Sequence, residues 1–209
     1  MEDRAKMIEF KKNTRVQMSI IPGHYATSHS HVNYYVDLTS VKTSLNTARE
    51  AAKELASQFR ATQVDTVICL EGTDILGAFL AEYLSQAGIN VNADISLITP
   101  ETNSNNQLLF RDNVQKKIWG KNVLLLISSA STGKSINRAI ESMQYYNGTL
   151  VGIGAIFSAI KAIHGMEIRS LFTEADIPNY INVLPADCPM CRNGQKVDAL
   201  INSFGYSKL

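Results

Sequence analysis

Five small hydroxyl residues, Ser128, Ser129, Ser131, Thr132 and Ser135, fall within eight positions that also hold Gly133 and Lys134. An apolar run at 123–127 leads into them, and an amphipathic stretch from about 134 to 146 follows. Strand, small-residue loop and helix start, in that order, make an anion site. The first N–H groups of a helix lack intrahelical partners, and the helix dipole favours negative charge. The N–H groups of Thr132, Gly133, Lys134 and Ser135 would face a phosphate, the hydroxyls would add donors, and Gly133 would let the backbone approach closely. A plain helix cap needs only one Ser or Thr.

The remaining chemistry-bearing residues are scattered. Tyr34 and Tyr35 either stack on a planar ring or pack a small N-terminal hood, and the sequence leaves both readings open. His24, His29 and His31 have no Cys or acidic partner at ligand spacing, which reads as solvated loop histidines. Cys188 and Cys191 form a single C-x-x-C, half of a zinc site whose other half is missing. They read as fortuitous or redox-capable thiols, so no metal ligands are expected. With Cys69 the cysteines number three, which argues against a disulfide framework and for a reducing cytoplasm. No catalytic acid or base can be singled out.

The positioning elements follow from periodicity. Leu45, Ala48, Ala52, Leu55, Ala56 and Phe59 recur at helical spacing, residues 64–70 read as a buried strand, and EGT at 71–73 turns into a helix over 75–84 that ends at Gly88. Further strands are expected at 95–99, 123–127, 150–157 and 168–172. Such alternation predicts an α/β fold, a parallel sheet with helices on both faces and a ligand crevice at the carboxyl ends of its strands. Residues 1–44 read as an N-terminal hood and 45–209 as the α/β domain, together one compact unit. The polar stretch 101–113 has little reason to pack and reads as a lid, and 197–209 as a short helix and tail. The chain has 209 residues, 45% hydrophobic and 19% charged, with a net charge of +1. That balance excludes a disordered chain and argues against a nucleic-acid partner. No apolar run is long enough to span a membrane, and no secretory signal is visible.

Residues 128–135 read SxxxxGKS, one substitution from the nucleotide-hydrolase phosphate loop, but Ser128 stands where the first glycine belongs and the next strand ends without an acid. More of the chain resembles the type I phosphoribosyltransferases, orotate phosphoribosyltransferases in particular. Val123–Leu126 correspond to that family's strand, Ile127 and Ser128 to its acidic pair, and Ser131 to Ser135 to its ribose-phosphate loop. Gly23, Tyr25, Ser28, Tyr35 and Asp37 fall on its N-terminal segment, and Glu71, Gly72, Thr73 and Asp74 on its pyrophosphate loop. The resemblance covers roughly residues 20–160. It implies a ribose 5-phosphate site at Ser128, Ser129, Ser131, Thr132, Gly133, Lys134 and Ser135, base stacking on Tyr34 and Tyr35, and a mobile loop containing Asn103, Asn105 and Arg111. It also implies phosphoribosyl pyrophosphate or a nucleoside monophosphate as ligand, ligand-bridged Mg2+, and a cytoplasmic homodimer.

The departures fall on catalytic parts. Ile127 and Ser128 replace the acids that accept the ribose hydroxyls, and Arg111 is the one basic residue in 101–113. Lost charge stabilisation of this kind implies weak orotate transfer. Three readings follow: a phosphoribosyltransferase, a catalytically impaired nucleotide- or phosphosugar-binding regulator of the same fold, and a nucleotide hydrolase.

Overall fold

The computed structural model describes residues 2–104 and 107–209. The N-terminal strands are β1 (Lys6–Phe10), the long β2 (Asn13–Ala26) and β3 (His31–Asp37). Helices α1 (Thr39–Thr43) and α2 (Leu45–Gln58) lead into β4 (Thr66–Cys69), α3 (Asp74–Gln86) and β5 (Ser96–Ile98). A small hairpin, β6 (Glu101–Thr102) and β7 (Leu108–Leu109), and a one-turn α4 (Asp112–Gln115) precede β8 (Asn122–Ala130), α5 (Lys134–Tyr145) and β9 (Thr149–Ser158). The chain closes with β10 (Ala162–Ile163), β11 (Met166–Thr173), β12 (Asn182–Val183), α6 (Pro189–Arg192), β13 (Ala199–Asn202) and β14 (Gly205–Lys208).

The central sheet has the order β10-β11-β9-β8-β4-β5, parallel except for β10 on β11. Its parallel strands therefore run 2-1-3-4-5 in chain order, which puts the topological switch point, where ligands bind in open α/β sheets, between β4 and β8. Alternation along β8 feeds two cores. Leu124 and Leu126 join α2 and α3 on one face, while Val123, Leu125 and Ile127 join Ile136, Ala139 and Met143 of α5 on the other. Helix α2 buries mainly alanines, Ala48, Ala51, Ala52 and Ala56, around Leu55, so it packs close. Gly154 of β9 makes room for it, since a Cβ there would lie 2.9 Å from Leu55 Cδ2.

The second sheet packs over α2 through Val16, Met18 and Ile20 of β2. Its order is β12-β3-β2-β13-β14, with β1 also on β2. The hood is thus not confined to residues 1–44: β12, β13 and β14, expected in the α/β domain, complete its sheet. The expected C-terminal helix and tail is instead the antiparallel hairpin β13–β14. Within the 101–113 stretch β6 and β7 pair antiparallel, and Phe110 is buried against the ring of Tyr146. Among the described residues no helix is long and apolar enough to cross a membrane.

Candidate active-site cleft

A cleft of about 520 Å³ opens between the two sheets at the switch point. Its floor comes from the carboxyl ends of β4 and β8 and the start of α5: Glu71, Ile127, and the run from Ser129 to Ile136. Its roof is the hood, with Thr27, Ser28, His29, Tyr34, Tyr35, Tyr180, Asn202 and Ser203.

Strand β8 runs through Ala130, so Ser128 and Ser129 are strand residues and only Ser131, Thr132 and Gly133 form the turn into α5. A hydrolase-type loop would need all of 128–133 as turn, and this geometry argues against it. Gly133 caps α5 in a left-handed conformation at φ 76°, and a Cβ there would lie 2.8 Å from Ile163 Cδ1. The first N–H groups of α5, with the Ser131 and Thr132 side chains, border the cleft. Lys134 and Arg138 also line it. They are four residues apart and share a helix face, so Arg138 could have been read from the sequence alongside Lys134.

Glu71 is the least expected feature of the floor. It follows β4 with φ 58°, the left-handed region that few residues other than glycine adopt. Thr73 fixes the turn, its buried hydroxyl donating to the carbonyls of Leu70 at 2.9 Å and Leu126 at 3.3 Å. The Glu71 carboxylate crosses from β4 to β8, where Oε2 accepts from Ser128 Oγ at 2.7 Å and from Ser129 N–H at 3.5 Å. Burial pushes its carboxyl above the usual glutamate range, and hydrogen bonds from Ser128, Ser129 and Ser135 pull partly against that shift. Beneath it, Lys42 Nζ donates to Ser203 O at 2.7 Å and Glu71 O at 3.4 Å, and burial lowers its pKa.

Of the four residues expected at the pyrophosphate turn, only Glu71 reaches the cleft. Thr73 is a staple, Gly72 sits in the turn at φ 75°, and Asp74 accepts from Thr99 Oγ1 at the start of α3. Ser128 is buried beneath the floor in its bond to Glu71 and reaches a small annex of the cleft shared with Lys42, Asn202 and Ser203. Tyr34 and Tyr35 both border the cleft, but Tyr35 is 7% exposed, with its ring edge-on to Tyr206 at 5.3 Å, and burial lifts its hydroxyl to about 12. On the mobile-loop side, Asn103 Nδ2 donates to Gln107 Oε1 at 2.8 Å, and Asn105 lies outside the described residues. Arg111 Nε donates to Glu101 Oε1 at 2.9 Å within a two-pronged ion pair. Among the described residues none from 101–111 borders the cleft.

The histidines and the C-x-x-C meet. His24, His31, Cys188 and Cys191 bring their ligand atoms within 4.8 Å of one another. The half-site expected to lack partners has them, 157 or more positions away in the chain, where no local spacing could reveal them. Only His29 of the three histidines faces the cleft.

No family model matches the sequence. Curated relatives include the orotate phosphoribosyltransferases of Desulforamulus reducens, 28% identical over 92% of this chain and 93% of that protein, and of Caldicellulosiruptor bescii, 26% identical over 88% and 93%. Solved structures include Mycobacterium tuberculosis orotate phosphoribosyltransferase with Fe(III) dicitrate, TM-score 0.55 at 18% identity over 77% of this chain and 93% of that one. Adenine phosphoribosyltransferase from Thermoanaerobacter pseudethanolicus gives 0.52 at 14% identity over 82% and 96%. The chain is thus similar in sequence to orotate phosphoribosyltransferases and has the type I phosphoribosyltransferase fold. Ile127, which corresponds to one member of the resembled family's acidic pair, is packed into the core at 1% exposure, and Ser128 corresponds to the other. Glu71, in the turn after β4, brings its carboxylate to Ser128.

Proposed function

We propose that the protein transfers the 5-phosphoribosyl group of phosphoribosyl pyrophosphate to a ring nitrogen of a planar base of the orotate type, with release of pyrophosphate. The observation that carries the reading is the Glu71 carboxylate seated on Ser128 and Ser129 at the switch point, directly beside the phosphate turn. The 5′-phosphate is received by the N–H groups of Thr132 to Ser135 and the adjacent hydroxyls. Glu71 accepts the ribose hydroxyls, and its charge opposes the positive charge that develops on the ribose ring as the C1–O bond to pyrophosphate breaks and the C1–N bond to the base forms. Lys134 and Arg138 supply cationic charge from α5 that the family draws from its mobile loop. Tyr34 and His29 border the side of the cleft where a flat base would lie.

One carboxylate among several hydroxyls fits Mg2+ held chiefly by substrate phosphates, since that ion usually takes only one or two protein carboxylates. Glu71 is the residue that would contact it, and the ion would neutralise charge on the departing pyrophosphate. The reading takes the protein as a cytoplasmic homodimer, with a neighbour closing over the 101–109 hairpin. A second reading, a binding protein without turnover, is favoured by one observation: Arg111 is tied to Glu101 and held off the cleft.

Crystals soaked with ribose 5-phosphate test the assignment. Its phosphate is expected at the 132–135 N–H groups with the ribose hydroxyls toward Glu71, and density elsewhere with this turn empty would overturn it.

A further inference from the structure

The geometry points to a structural zinc site, independent of the cleft chemistry, at His24, His31, Cys188 and Cys191. His24 Nε2 lies 3.0 Å from His31 Nδ1, 3.5 Å from Cys188 Sγ and 3.6 Å from Cys191 Sγ, and Cys191 Sγ lies 3.2 Å from His31 Nδ1. A tetrahedral zinc with ordinary Zn–N and Zn–S bonds spaces its ligands at about 3.3 Å for N to N, about 3.6 Å for N to S and about 3.8 Å for S to S. Four of the six ligand–ligand separations are thus close to tetrahedral values, and all four atoms lie within 4.8 Å of one another.

Three further features fit a ligand set better than a chance cluster. First, His24 Nδ1 lies 2.8 Å from the carbonyl of Gln195. A carbonyl only accepts, so Nδ1 donates there, and Nε2 is the ring atom that faces the two sulfurs and His31. An outer partner of this kind orients metal-bound histidines generally. Second, β2 shifts register between Pro22 and Tyr25 against β3. The irregularity re-aims the strand at His24 and sets it on the same face as His31 of the adjacent strand. Third, Cys188 caps and Cys191 lies within α6, a single turn opened by Pro189, and His24 and Cys188 are fully buried. A C-x-x-C on a short turn with two histidines from a hairpin is a Cys2His2 arrangement, whose soft and borderline donors select zinc.

All four positions come from the protein, which describes a closed structural site and not a catalytic one. On binding, the two thiols release their protons to solvent, so two thiolates balance the charge of the ion. The consequence lies in the fold. The site ties the β2–β3 hairpin to the 185–195 segment, and so holds in place both Thr27, Ser28 and His29 between the histidines and the β13 end, Asn202 and Ser203, of the cleft roof.

Metal analysis of the full-length protein, purified under reducing conditions without chelator, should find about one zinc per chain. Cys191→Ser, at an exposed position, should lower affinity roughly tenfold or more, whereas Cys69→Ser, in the α/β core, should leave it unchanged. Cobalt added to metal-stripped wild-type protein should give tetrahedral d–d bands and thiolate charge transfer, a readout that depends on no variant. Removing the metal should raise amide exchange in 24–31 and 185–203 more than in 122–130. The inference is overturned if reduced wild-type protein holds no zinc and gives no cobalt spectrum, if iron occupies the site, or if the metal survives loss of Cys191. It is also overturned if Cys188 and Cys191 are recovered as a disulfide that takes up no metal after reduction.

Discussion

Glu71→Gln removes one negative charge from the cleft and almost nothing else. Gln is isosteric, and its amide oxygen can still accept from Ser128 Oγ, which now sits 2.7 Å from the carboxylate. The expected loss follows from Coulomb's law. A unit positive charge about 5 Å from the carboxylate, at an effective dielectric of about 20, is stabilised by about 3.3 kcal/mol. Half a unit of charge developed on the ribose ring gives about half that. The corresponding fall in kcat/KM is from roughly 15-fold to roughly 250-fold. Ground-state binding should move the other way: a carboxylate near a phosphate dianion opposes it, so ribose 5-phosphate should bind as well as before or more tightly. Steady-state pyrophosphate release measures the first, and calorimetric titration with ribose 5-phosphate the second. The pH profile adds a signature. Burial raises the Glu71 pKa, so wild-type activity should fall on the acid side at a pH above the ordinary glutamate value, and the Gln variant should lose that limb. For stability the sign is reversed: the raised pKa contributes stability below the unfolded glutamate value, and this is lost as pH rises through the folded value. A drop in kcat/KM of less than about threefold, with the acid limb intact, would refute the role given to Glu71.

Gly133→Val should abolish ribose 5-phosphate binding in calorimetry and cost about 1–3 kcal/mol of stability in urea melts, because its φ is 76° and a Cβ would meet Ile163 and Ile160. Tyr35→Ala should cost about 3–5 kcal/mol through loss of buried packing with Tyr25 and Tyr206, read as a large fall in Tm; a variant as stable as wild type would remove its structural role. Arg111→Ala should change stability by no more than about 1 kcal/mol, since the pair with Glu101 is exposed, and should leave kcat/KM within about twofold. Light scattering at micromolar concentration should show a dimer, and a species of 23.0 kDa alone would contradict that expectation.

The parallel sheet was legible because its strands and helices carry strong periodicity. Residues 66–70, 123–127 and 152–157 are buried on both faces, and α2 and α5 keep their buried residues on one. The turn from β8 into α5 was legible for the same reason, since strand, hydroxyl residues and glycine are contiguous. What stayed hidden depends on contacts distant in sequence. Glu71 reads locally as a turn residue, and only the pairing of β4 with β8 brings its carboxylate to Ser128, 57 residues away. The hood's C-terminal strands are short, and LINSFGYSK has no strict alternation, so a helix and tail was the natural reading. The joining of His24 and His31 to Cys188 and Cys191 needs β12 and β13 to close the hood sheet, a long-range event that no spacing rule records.

The central claim is that this cleft moves a phosphoribosyl group. Its most direct test is a steady-state assay with phosphoribosyl pyrophosphate, Mg2+ and orotate, following pyrophosphate and nucleotide together. Both should be released in equal amounts, dependent on Glu71, with turnover below the usual enzyme range of about 1–1,000 per second, since among the described residues no cation from 101–113 borders the cleft. Tight binding of phosphoribosyl pyrophosphate with no pyrophosphate formed from orotate or any other planar base would contradict it.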